Sequence, residues 1–147
     1  MTSAQDAVEL AVRIANALES LVEVHGTVAT VTRTEQPDGT PQVELEPSDP
    51  NATPVIVSTI GDNATIQLGL TGEFEIFGAP GEEIVKYVLE LAEAAIGGRV
   101  VETVKPLVFG LLRGRVVATS RTGEEHRSYV VLPMRGQRKQ RINYAPY

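Results

Sequence analysis

Apolar residues recur at helical spacing at the start of the chain. Ala7, Leu10, Ala11, Ile14, Ala17, Leu18 and Leu21 form one stripe, and Glu9, Arg13, Asn16, Ser20 and Glu23 take the opposite side. Ser3 is placed to cap this helix, with Asp6 three residues on, and Gly26 to end it in a left-handed turn. The period then changes from helical to alternating. Strands are predicted near 27–35 and 41–46, joined by Gln36-Pro37-Asp38-Gly39, then over 54–60, 64–70 and 73–77, with turns at Ser48-Asp49-Pro50-Asn51, Gly61-Asp62-Asn63 and Thr71-Gly72. Gly78-Ala79-Pro80-Gly81 breaks the alternation. Pro80, followed by Glu82 and Glu83, announces a second helix whose stripe is Ile84, Val88, Leu91, Ala92 and Ala95, and Gly97-Gly98 stops it. Alternation resumes with strands predicted over 100–104, 107–120 and 128–132, the last two separated by Thr122-Gly123-Glu124-Glu125.

These elements specify an α+β fold in the order α-β-β-β-β-β-α-β-β-β, with two helices packed on a mainly antiparallel sheet of about seven or eight strands. Residues 1–133 read as a single domain. Residues 134–147 read as a basic C-terminal tail, either a final strand or flexible. The succession of helix, strands, helix and strands is similar to that of secretion chaperones, a likeness of topology that no motif extends.

Composition narrows the chemistry. With no cysteine, disulfides, thiolate catalysis and Cys-containing zinc sites are excluded. No apolar run reaches the length of a membrane span, and the first residues lack the basic and apolar regions of a signal peptide, so the expectation is a cytoplasmic protein. Arginine outnumbers lysine, and alanine and valine are abundant, a composition expected of a GC-rich bacterial genome.

Charge is divided along the chain. Residues 1–98 carry a formal charge of −13 and residues 99–147 a charge of +7, within a whole that nets −6. Such a chain either closes its halves on each other or offers one of them to a partner.

Catalytic constellations are sparse. His25 falls at the end of the first helix, where a cation suits the dipole, and His126 falls in a turn-like Glu124-Glu125-His126-Arg127 run read as solvated. Neither has metal-ligand spacing. The serines include no Gly-x-Ser-x-Gly elbow, and the glycine cluster before the second helix is followed by Glu82 and Glu83, which would repel a phosphate. The expectation is therefore a non-catalytic module with no cofactor.

Two charged surfaces remain. Glu44 and Glu46 share one strand face and Glu73 and Glu75 another. Together they are the expected contact for a basic protein partner, as in an immunity-type inhibitor or a chaperone of a basic secreted protein. The alternative is nucleic-acid association through Arg113, Arg115, Arg135, Arg138, Lys139 and Arg141, with Tyr144 and Tyr147 nearby for stacking. A strand edge left open would further permit a homodimer.

Overall fold

The computed structural model describes residues 3–133 and 138–147. Its elements are α1 (Ser3–His25), β1 (Ala29–Glu35), β2 (Pro41–Pro47), β3 (Val55–Ile60), β4 (Asn63–Leu68), β5 (Gly72–Ile76), α2 (Gly81–Ile96), β6 (Val100–Pro106), β7 (Leu112–Thr119), β8 (Glu125–Leu132) and β9 (Gln140–Asn143). The α+β class is as predicted, and so is the order of elements as far as β8; β9 adds a fourth strand after α2, for nine among the described residues. The strands divide between two antiparallel sheets, β1-β2-β3-β4-β5 and β8-β7-β6-β9, where one sheet was expected. The break falls where α2 interrupts the meander. Beyond it the chain starts a new sheet, which meets the first where β5 packs against β8 and Glu73 N donates to Ser128 Oγ at 2.9 Å.

Both helices lie on the inner face of the first sheet. Helix α1 packs on β1, β2 and β3, while α2 packs on α1 and reaches across to β7. Ala7, Leu10, Ala11, Ile14, Ala15 and Leu18 are the buried residues of α1, so Ala15 takes the buried place expected of Ala17. Leu91 and Ile84 from α2 meet Val43, Leu45, Val55, Val57 and Ile66 in one continuous core. Burying each such aliphatic side chain is worth about 1.5–3 kcal/mol.

The first hairpin turns as its sequence requires. Gly39 adopts φ 86°, its amide donates to Gln36 O at 2.8 Å, and the Asp38 carboxylate accepts from Thr40 N at 3.0 Å. That bond holds the Asp38 carboxyl below the usual carboxylate range.

Two segments differ from the alternation pattern. Residues Leu107–Leu111 are the connection between β6 and β7, because Pro106 already pairs with Leu112; the apolar run that read as the start of a long strand is an exposed hairpin tip. His126 lies within β8, which begins at Glu125. The residues that end the chain are held: Gln140–Asn143 pair with β6, and Tyr144 and Tyr147 pack against the core.

Candidate functional site

Alternation on β2 and β5 sends Val43, Leu45 and Phe74 inward and leaves Glu44, Glu46, Glu73 and Glu75 on the outer side of the first sheet. Cross-strand register joins them in rows. Thr32, Glu44, Ile56, Gln67 and Glu73 form one, and Thr34, Gln42, Ser58, Thr65 and Glu75 form the next. All four carboxylates thus share one face, with no Lys or Arg at a strand position of that face. They do not form one cluster. Strands β3 and β4 separate the two pairs by about 14 Å, three strand spacings.

The second sheet has the opposite character. Its inner positions are Val100, Glu102, Val104, Leu112, Gly114, Val116 and Ala118. Its outer face brings Lys105, Arg113 and Val131 into one row, and Arg141, Thr103, Arg115 and Tyr129 into the next. Val101, Val117 and Arg127 form a third. The Arg115 guanidinium stands 5.6 Å from the centre of the Tyr129 ring. Arg127 pairs with Glu125 at the far end of β8, whereas among the described residues no carboxylate pairs with Lys105, Arg113, Arg115 or Arg141. Cross-strand pairing of these arginines with the acidic strands, which would have neutralised both, does not occur. Charge is instead balanced at the end of α2, where Glu93 lies 3.1 Å from Arg121 and 3.7 Å from Arg99.

The expected basic residues thus fall into three groups. Arg113, Arg115 and Arg141 share the outer face; Arg138 and Lys139 are exposed on the approach to β9; Arg135 lies outside the described residues. Lys105 and Tyr129 join the face without having stood out in the sequence. Their signal was positional, since each alternates with inward residues at a strand register that becomes visible only when the hairpins are paired. Tyr144 and Tyr147, the expected stacking residues, are structural. Tyr147 Oη donates to Thr53 O at 2.7 Å and Tyr144 Oη to Glu102 Oε1 at 2.5 Å.

Glu102 is fully buried and its carboxylate is saturated. It accepts from Leu70 N (2.9 Å), Thr71 N (2.7 Å), Thr71 Oγ1 (2.5 Å) and Tyr144 Oη. Two oxygens with about four acceptor sites are thereby used up, leaving none for a substrate proton. The group clamps the β4–β5 loop and the C-terminal residues onto β6, the strand at the centre of the basic face.

His126 is largely buried rather than solvated. Its ring meets Tyr87 edge-on at 5.4 Å, and Nε2 lies 3.2 Å from Glu90 Oε2. The alignment is too poor for a hydrogen bond, so the buried nitrogen has none. Glu90, Glu124 and His126 bring donor atoms within 4.8 Å of one another, a grouping of possible cation ligands that no ligand spacing in the sequence announced. Among the described residues no helix is long and apolar enough to cross a membrane. No known family, curated protein or solved structure matches the chain.

Proposed function

We propose that this protein is a non-catalytic binding module that holds a single strand of nucleic acid on the outer face of the β6–β9 sheet. One observation carries the reading. In an acidic chain, four cations with no carboxylate pair among the described residues and an exposed tyrosine converge on two adjacent rows of one open sheet face. Acidic side chains are distributed over the rest of the molecule, so the basic face is a local reversal and not the background. Arginines on a sheet can follow a phosphate backbone, and Tyr129, with Arg115 over its ring, offers a base a surface for stacking.

Fluorescence anisotropy with a labelled single-stranded oligonucleotide tests this across a salt series. If four phosphates are neutralised, log affinity falls against log salt with a slope of about −3. Arg115→Ala with Arg141→Ala is expected to lower the slope's magnitude by about 1.4 and to weaken binding at least tenfold at low salt. Both positions are exposed strand positions, so the fold is retained. Absence of binding at low salt, or an unchanged slope in the double variant, overturns the reading.

A second reading rests on the other face. Four carboxylates without a base suit a basic protein, and this supports reading the chain as an immunity-type inhibitor or chaperone of a basic secreted protein. Glu44→Lys with Glu73→Lys is then expected to abolish capture of that partner from nuclease-treated host extract at moderate salt. Undiminished capture removes the acidic face from consideration.

A further inference from the structure

The tip between β6 and β7 is not explained by folding or by the basic face. Val108 is 71% exposed and Phe109 92% exposed, with Leu107 and Leu111 beside them more than a third exposed. Contiguous apolar side chains are uncommon on the surface of a monomer and mark contacts. Phe109 also adopts φ 62°, a left-handed conformation that a bulky side chain rarely takes. The strain is held by a closing bond from Leu107 N to Leu111 O at 2.7 Å. The loop therefore presents its phenyl ring to solvent from a fixed base. Cations stand at that base: Lys105 and Arg113 on the two strands, with Arg138 and Lys139 leading into β9, whose Gln140 pairs with Val104.

The complementary surface is on the same chain. A groove of about 350 Å³ runs between the start of α1, the β1–β2 turn and the β3–β4 turn. Ala7, Val8, Pro41 and Ile60 give it an apolar lining, and Glu35 and Asp38 an acidic rim. Val8 is 51% and Ile60 65% exposed, so no side chain among the described residues fills the groove. The bonds from Thr40 hold the Asp38 carboxyl below the usual carboxylate range. Apolar tip with basic rim thus meets apolar groove with acidic rim.

We propose that the β6–β7 tip of one molecule inserts Phe109 into the α1/β1–β2 groove of a second copy. Tip and groove lie on different sheets and both are open in a single chain, so the contact is head-to-tail and each copy offers one of each half. The assembly grows with concentration and weakens with salt, because its rims are opposite in charge. Lys105 and Arg113 belong both to the rim of the tip and to the first row of the basic face, whereas Arg115 and Arg141 stand in the next row, outside the contact.

Sedimentation velocity on the full chain, with Phe109→Glu and Val8→Glu variants, tests the arrangement. Both side chains are exposed, and circular dichroism checks that each variant is folded. The wild type is expected to show larger species as concentration rises, and each variant alone to remain monomeric. An equimolar mixture of the two variants is expected to form dimers and nothing larger, since only the groove of one and the tip of the other remain usable. A monomeric wild type, self-association that survives either substitution, or a mixture that stays monomeric each overturns the proposal; association kept by Val8→Glu and lost in Phe109→Glu would signal a tip-to-tip contact. Oligonucleotide affinity of Val8→Glu, whose substitution lies on α1 and away from the basic face, is expected to be unchanged at a concentration where the wild type is monomeric, which separates this contact from the nucleic-acid reading.

Discussion

Glu102→Ala is expected to destabilise the fold by on the order of 4 kcal/mol, seen as a fall of about 8–16 °C in the thermal midpoint. The carboxylate is wholly buried and receives two backbone amides, a threonine hydroxyl and a tyrosine hydroxyl. Alanine removes the acceptor and strands Leu70 N, Thr71 N, Thr71 Oγ1 and Tyr144 Oη, and each unsatisfied buried donor costs about 1–3 kcal/mol less whatever solvation it regains. Water entering the vacated space recovers part of this, which keeps the sum below a simple total. Glu102→Gln keeps an acceptor but turns an amide donor toward other donors, so it is expected to fall between the two. A double-mutant cycle with Tyr144→Phe measures the pairwise share. A coupling energy near zero would mean that the two groups do not act together. The clamp also ties the β4–β5 loop to the strand at the centre of the basic face, so its loss is expected to loosen both sheets together.

Removal of Tyr144–Tyr147 is expected to cost on the order of 5 kcal/mol, a large part of an ordinary domain's stability. The four residues form a latch. Tyr144 N donates to Val100 O at 3.1 Å, Ala145 N to Asn51 O at 3.0 Å, and Tyr147 N to Ile96 O at 3.0 Å. Tyr147 Oη reaches Thr53 O between these anchors. The latch thus joins α2, the β2–β3 connection and β6. Urea denaturation of the truncated chain checks the magnitude, and an unchanged midpoint would show the latch to be ornamental. Deleting the C-terminal segment is consequently no test of its charges, because the segment is part of the fold.

The latch also has a signature in pH. Burial raises the Tyr147 phenol above its ordinary value of 10.0, and burial with the Glu102 carboxylate raises that of Tyr144. Above that pH the unfolded chain releases these protons while the folded chain keeps them. Stability is therefore full below pH 10.0 and declines as pH rises through the alkaline range. Tyr147→Phe lowers stability near neutrality and makes the alkaline decline shallower by one proton. Urea midpoints measured on either side of pH 10.0 that give the same slope for variant and wild type would contradict this assignment.

Part of this architecture belongs to the sequence itself. Each helix is written as an apolar stripe closed by glycine, and the hairpin turn at Asp38-Gly39 as a local hydrogen bond with a left-handed residue. Such features depend on neighbours a few positions apart, which periodicity records directly. The same period of two placed Glu44 and Glu46 opposite Val43 and Leu45, and Glu73 and Glu75 around Phe74. It carries no information about which strand pairs with which. For that reason the division into two sheets was not legible, nor were the rows that gather Lys105, Arg113, Arg115, Tyr129 and Arg141 from three hairpin arms and a final strand.

Apolar runs are ambiguous in the same way. Leu107–Leu111 has the composition of a strand, and only the Pro106–Leu112 pairing turns it into a solvent-facing loop. Glu102 is the converse case, a charge in a strand that reads as surface until the β4–β5 loop and Tyr144 arrive from distant positions to satisfy it. Local order and the sign of each charge were thus determined by the sequence alone. Which charges stand together, and which are buried, was decided by strand register and chain crossing, because both depend on contacts between residues far apart in the chain.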